Sequence, residues 1–177
     1  MGVLETAESF IGKVTYRFGS TAVEQGKADC SAFTQYVFKQ NGYNIGRTTS
    51  EQVKKGTKVS KAEARPGDLI FFQGTYRAGV SHVGIVVGNG EMIDCGEANG
   101  VSRRSYNTDY WNQHFLEVRR VDGVDIGTGS GAVNDSEDSE EETKLDLTWW
   151  GDIVSVVIVV LLILAALLFV LKAINVK

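Results

Sequence analysis

The chain changes its hydrophobic rhythm twice. Near the start, Leu4, Ala7, Phe10 and Ile11 recur at helical spacing, and a second stripe follows at Phe33, Val37 and Phe38. The second stripe predicts a helix over 30–41, stopped by Asn41-Gly42. Thr48-x-x-Glu51 is a capping-box pattern and predicts a short third helix ending near Gly56. After Pro66-Gly67-Asp68 the rhythm shortens into β-branched and aromatic runs, which predict strands over 69–72, 82–87, 91–95, 101–103 and 115–121. Gly88-Asn89-Gly90 reads as the turn of a hairpin between two of them. Helices first and antiparallel strands afterwards define an α+β domain over 1–121. A domain of about 120 residues encloses an adequate core without disulfides or metals.

The second change comes at the C-terminal end. Residues 153–171 carry no charge, and Ser155 is their one polar residue. As a helix this run spans about 28 Å, close to the hydrocarbon thickness of a bilayer. Trp149-Trp150 stands before it like an interfacial aromatic belt, so residues 149–177 are expected to form a transmembrane helix with flanks. Between domain and helix, residues 122–148 hold Gly123, Gly127, Gly129 and Gly131 and the acidic run from Asp135 to Glu142. That composition predicts a solvated tether. Charge divides at the same place: the chain totals −4, but residues 1–121 are net +3 and the remainder net −7. A mildly basic domain suits an anionic polymer such as a cell wall. Nothing points to nucleic acid.

The candidate chemistry begins at Cys30. Asp29 precedes it as a helix cap, so the thiol falls in the first turn of a helix, where the dipole favours the nucleophilic thiolate. A thiol nucleophile needs a base, and the base needs an orienting group. The chain has two histidines, His82 and His114. His82 opens an apolar strand, and Asp94 is the carboxylate on the inner part of the returning strand. An odd number of residues in the hairpin loop would set His82 and Asp94 opposite each other, whereas a two-residue loop would put them on opposite faces. Each residue alone also fits a plain structural role: a small buried thiol, a core histidine, a carboxylate beside a turn. Cys95 alternates away from Asp94 and is read as buried and free. His114, beside Trp111 and Phe115, is read as structural. No Cys/His spacing suggests zinc, and no cofactor is called for.

From about Glu5 to Val121 the chain resembles the NlpC (p-sixty) family of papain-like cell-wall cysteine endopeptidases. The resemblance rests on Tyr16-Arg17-Phe18-Gly19-Ser20, Asp29-Cys30-Ser31, Arg47-Thr48-Thr49-Ser50-Glu51-Gln52, Arg65-Pro66-Gly67-Asp68, Ser81-His82-Val83-Gly84-Ile85 and Gly88-Asn89-Gly90-Glu91-Met92-Ile93, in that order. It implies a papain-like fold, with N-terminal helices packed on an antiparallel sheet. It implies Cys30, His82 and Asp94 as the catalytic group, with Tyr16, Asp29, Ser31, Arg47 and Ser81 lining or supporting the substrate cleft. It also implies hydrolysis of peptidoglycan stem peptides between D-glutamate and a diamino acid. Three positions depart from the family pattern. Asp94 stands where a histidine is usual, Ala32 where glycine is frequent, and Gly46 where a proline is common. The order Cys before His argues against the permuted lipid acyltransferases, which also carry C-terminal membrane helices.

The lysines beyond the apolar run, Lys172 and Lys177, place the C-terminus in the cytoplasm and the enzyme outside. Met1-Gly2-Val3-Leu4-Glu5 lacks the features of a signal peptide, so either the domain crosses the membrane by another route or it is carried to its target, with a phage particle or tail as the carrier. The expected partners are therefore bacterial peptidoglycan, a lipid bilayer through residues 153–171, and a phage tail assembly or further copies of the chain. A structural or membrane-penetrating virion component with an auxiliary or inactive peptidase domain is the alternative function.

Overall fold

The computed structural model describes residues 1–127, and the expected tether beyond them and the transmembrane helix lie outside the described residues. Four α-helices and eight strands follow in chain order: α1 (Val3–Ser9), β1 (Thr15–Tyr16), β2 (Lys27–Ala28), α2 (Cys30–Gln40), α3 (Thr49–Gln52), β3 (Thr57–Val59), β4 (Leu69–Gln73), β5 (Val80–Gly88), β6 (Glu91–Gly96), β7 (Gly100–Ser105), α4 (Asp109–His114) and β8 (Phe115–Arg120). Six strands make one antiparallel sheet in the order β3-β8-β4-β5-β6-β7. The remaining two, β1 and β2, pair parallel beside the start of α2. The fold is α+β and papain-like, with helices leading into an antiparallel sheet.

Both faces of the sheet are covered, which is why its central strands read as unbroken apolar runs rather than as alternation. Leu69, Phe71, Val83, Ile85, Ile93, Cys95 and Val101 pack with α1 and α2 in one cluster. Ile70, Phe72, Val86, Met92 and Val118 form a second cluster with Tyr106, flanked by Trp111 and Phe115. Phe33 and Phe38 of α2 are wholly buried in the first cluster. Truncating either to alanine costs about 3–5 kcal/mol. The Pro-Gly-Asp turn is locked by Asp68. Its carboxylate accepts from Arg65 N–H at 2.8 Å and from two nitrogens of the Arg120 guanidinium at 2.8 and 2.9 Å, which fixes β4 to β8.

The hairpin of β5 and β6 departs from the simple expectation. Its loop is the two residues Asn89 and Gly90, both in the left-handed region with φ of 52° and 75°. These are the conformations a tight hairpin turn demands. Such a loop alone would set His82 and Asp94 on opposite faces. The register slips by one residue between Val86 and Gly88, so Val86 pairs with Met92 and Gly84 with Asp94. The bulge restores the parity that the loop removes. Asp94 therefore lies opposite Gly84, not His82, and His82 is its diagonal neighbour on the same face.

Three elements escaped the hydrophobic pattern: β3, the β1–β2 pair and α4. All are short, and β3 and β1 are mostly exposed. The packed chain also continues past Val121. Val3 N–H donates to Asp125 O at 2.8 Å and Leu4 N–H to Ile126 O at 3.2 Å, while Val124 and Ile126 pack against the main cluster. Residues 122–127, assigned to the tether by composition, thus hold the first turn of α1.

Candidate active site

The site is assembled where the first turn of α2 meets the start of β5. Asp29 caps the helix: its Oδ1 accepts from Ala32 N–H at 2.7 Å. Cys30 follows as the first helical residue, 3% exposed, and its thiol reaches the carbonyl oxygen of Ser81 at 4.0 Å.

His82 is buried on β5. Its Nε2 and Asp94 Oδ2 are 2.7 Å apart, which leaves Nδ1 for the thiol. Burial disfavours the imidazolium, but the Asp94 carboxylate and the neighbouring Cys30 outweigh it, and the net effect lifts His82 to about 9. Asp94 itself has no exposed surface. Gly84 makes room for it: a Cβ there would stand 2.8 Å from Met92 Sδ and 3.3 Å from Asp94 Cβ.

The second oxygen of Asp94 faces Arg104 of β7. Nε of Arg104 lies 2.8 Å from Oδ1. The N–H does not point along that line, so neither atom completes a hydrogen bond. The contact is an ion pair held by charge and distance.

Asp29, Ser31 and Arg47 form a brace rather than an open subsite. Arg47 grips both oxygens of Asp29, at 2.7 and 3.1 Å, and donates to Ser31 Oγ at 3.0 Å. Ser31 Oγ also donates to Asp29 Oδ1, and Gly19 N–H donates to Oδ2. Gln52, which the sequence reading used only as part of the Arg-Thr motif, is fully buried behind this brace. Its Nε2 donates to Ser31 O at 2.8 Å and to Gly46 O at 3.1 Å, and its Oε1 accepts from Thr34. The Arg-Thr segment thereby clamps the first turn of α2, which carries Cys30.

Ser81 does not face the cleft. It has no exposed surface, and its hydroxyl bonds to Thr75 Oγ1 and accepts from Thr75 N–H, so it ties down the 74–79 loop. Its backbone carbonyl, not its side chain, is what meets the thiol.

Tyr16, on β1, lines a cavity of about 220 Å³ with Tyr76, His82, Asp94, Arg104 and Trp111. Burial, then the charge of Cys30, pushes its phenol above the ordinary value, so it remains a neutral donor. Cys95 points away from the site: its thiol reaches Ala28 O at 3.4 Å, and burial together with the Asp94 charge pushes it up to about 12. His114 Nδ1 meets Gln73 O at 2.8 Å and joins α4 to β4.

Two residues at the site were missed by sequence reasoning. One is Arg104. The other is Trp111, whose ring stacks on His82 with centroids 5.2 Å apart and 25° between planes. The Thr108-x-x-Trp111 cap, in which Thr108 Oγ1 accepts from Trp111 N–H, was the available signal for the helix that delivers it.

Comparison with known proteins places this arrangement among relatives. A probable endopeptidase p60 of Listeria seeligeri is 41% identical over 119 residues, covering 67% of this chain and 22% of that protein. A gamma-DL-glutamyl hydrolase of Bacillus subtilis is 35% identical over 135 residues, covering 76% of this chain and 32% of that protein. The chain thus spans between about a fifth and a third of the length of these relatives. The crystal structure of the NlpC/p60 domain of the peptidoglycan hydrolase SagA aligns with a TM-score of 0.57 at 30% identity, over 68% of this chain and 97% of that one. Residues 12–120, which contain every residue of the site, match the sequence profile of the NlpC/P60 family, and to that family this chain belongs.

Proposed function

We propose that the chain is a peptidoglycan hydrolase, a cysteine endopeptidase that cleaves stem peptides, with Cys30, His82 and Asp94 as its catalytic group. The 2.7 Å contact of His82 Nε2 with Asp94 Oδ2, beside a thiol in the first turn of a helix, carries the reading. The relatives' names, endopeptidase and gamma-DL-glutamyl hydrolase, support it. In this proposal the bond cleaved is that between D-glutamate and a diamino acid.

The thiolate of Cys30 attacks the scissile carbonyl carbon while imidazolium at His82 stands ready as acid. Charge developing on the carbonyl oxygen meets the Cys30 N–H, one of the first-turn donors without an intrahelical partner, and the neutral Tyr16 hydroxyl. His82 then gives its proton to the leaving amine, and a thioester remains on Cys30. Neutral His82 takes a proton from water, which attacks the thioester and releases the acid. Asp94 keeps the imidazole turned correctly throughout, and Trp111 covers its face.

In this proposal residues 153–171 fix the enzyme to a bilayer with the peptidase on the outer side, or enter the target membrane after delivery by a phage particle; their uncharged composition is the support. The test is a zymogram on purified cell wall. The parent protein clears the wall and Cys30→Ala does not. Clearing by neither protein would instead favour a membrane-penetrating component with an inactive domain.

A further inference from the structure

The buried Asp94 carboxylate meets two cations, and the mechanism above uses only one of them. His82 holds Oδ2, and Arg104 stands 2.8 Å from Oδ1. The pairing of β6 with β7 explains how Arg104 gets there: Asp94 lies opposite Ser102, and Arg104 is two residues on, on the same face. Nη2 of Arg104 donates to Ser102 Oγ at 2.9 Å, which anchors the guanidinium beside the carboxylate. Gly96 leaves the space open, since a Cβ there would stand 3.2 Å from Arg104 Nη2 and 3.4 Å from Asp94 Oδ2.

Resting on the peptidase reading, we infer that Arg104 is a positioning residue: it fixes the buried Asp94 carboxylate from its second oxygen and balances its charge, so that the carboxylate orients His82 through the whole reaction. Charge balance gives the reason. In the resting site the Cys30 thiolate, His82 imidazolium, Asp94 carboxylate and Arg104 guanidinium sum to zero. When His82 delivers its proton to the leaving amine, imidazole and thioester are both neutral. Asp94 would then be a buried anion without the imidazolium beside it. A buried carboxylate in that state is costly without a cation beside it. Arg104 is the cation that remains to it. Among the described residues, neither Asp94 Oδ1 nor Arg104 Nε has another partner, so each atom is left to the other.

Other ionisable groups face this cluster from each element around it. Cys30 and Asp29 come from the start of α2, Tyr16 from β1, Tyr76 from the 74–79 loop, Cys95 from β6 itself, Glu97 from the turn after β6 and Tyr110 from α4. Tyr16 and Cys95 stay neutral near pH 7, and Asp29 is already gripped by Arg47. Among the described residues, none of these supplies a second cation.

The test reads the thiolate directly, so it does not depend on the wall substrate. Full-length chain is alkylated with iodoacetamide across pH, and the label on Cys30 is followed by mass spectrometry of the Cys30 peptide. Arg104→Gln should move the acid limb of the alkylation profile upward by about one pH unit, because the Asp94 carboxylate, no longer held at Oδ1, supports the imidazolium less well. Arg104→Met should do the same, and Arg104→Lys should restore the parent profile. In an Asp94→Asn background, Arg104→Gln should add no shift. An unmoved limb in Arg104→Gln, or an equal shift in the Asp94→Asn background, would overturn the inference. Failure of the parent chain to cleave wall would overturn the peptidase reading while leaving the alkylation result to decide the role of Arg104.

Discussion

His82 Nε2 and Asp94 Oδ2 stand 2.7 Å apart, although Asp94 is paired across the hairpin with Gly84 and not with His82. Diagonal neighbours on one face of a sheet are about 7–8 Å apart at Cα, so two side chains must lean toward each other to meet. Gly84 is what lets them. A Cβ at that position would press on Met92 Sδ and Asp94 Cβ, and Met92 is fully buried and cannot swing aside freely. Gly84→Val should therefore keep the strand, which favours β-branched residues, yet displace Asp94. The expected outcome is a loss of about 1–3 kcal/mol in denaturant unfolding and a fall in kcat of at least about tenfold. Unchanged kcat in a folded Gly84→Val protein would show that Asp94 does not depend on that space.

Removing the carboxylate should separate orientation from nucleophilicity. Asp94→Asn is expected to lower kcat by about 10²–10⁴-fold with little change in KM, whereas Cys30→Ala should leave no turnover. Steady-state kinetics on a soluble stem peptide measures both.

His82 predicts a pH signature. Its ordinary value near 6.5 is lifted to about 9 in the folded protein, with burial opposing and Asp94 and Cys30 prevailing. The group therefore contributes stability that is complete below about 6.5 and is lost as pH rises through about 9. Unfolding free energy should decline across that window, and kcat/KM should fall on its alkaline side near pH 9 as the general acid is lost. In Asp94→Asn the alkaline limb should move down toward 6.5. A limb that ignores this substitution would contradict the assigned pairing.

Arg47 is engaged by Asp29 and Ser31 at distances of 2.7–3.1 Å, so it braces the nucleophile helix. Arg47→Ala leaves Asp29, with about a tenth of its side-chain surface exposed, short of its cation. The expected cost is about 1–3 kcal/mol of stability. The measurement is denaturant unfolding alongside kinetics. Loss of KM with full stability would return Arg47 to direct substrate binding.

Much of this architecture was legible in the sequence, for identifiable reasons. The α2 stripe at Phe33, Val37 and Phe38, its Asp29 cap and its Asn41-Gly42 stop are all local signals, and the helix lies where they put it. The long apolar runs of β4 and β5 were equally plain. The register between β5 and β6 was not. It depends on one bulged residue near Val87, whose presence no alternation rule reveals. Arg104 and Trp111 were missed because each reaches the site through tertiary pairing, one diagonally across β6 and β7, the other from a six-residue helix. Ser81 supports the 74–79 loop and does not face the cleft, for a related reason. Its neighbour His82 faces the site, and strand alternation turns the Ser81 hydroxyl to Thr75 instead.

Residues from about 149 onward are expected to be separable from the peptidase. A chain ending near Asp135 should be soluble and retain wall-cleaving activity, because it keeps every helix and strand from α1 to β8 together with Cys30, His82 and Asp94. The full-length chain should require detergent, a bilayer or an assembly. Sedimentation with and without detergent measures this. A full-length chain that is monomeric without detergent, or a truncated one that does not fold, would contradict it.

The most direct measurement is mass spectrometry of the fragments released from purified peptidoglycan by the parent protein and by Cys30→Ala at equal concentration. The account predicts that the parent releases fragments with new termini at the D-glutamyl–diamino acid bond, and that Cys30→Ala releases none. Identical fragments from both proteins, or none from the parent, would contradict it.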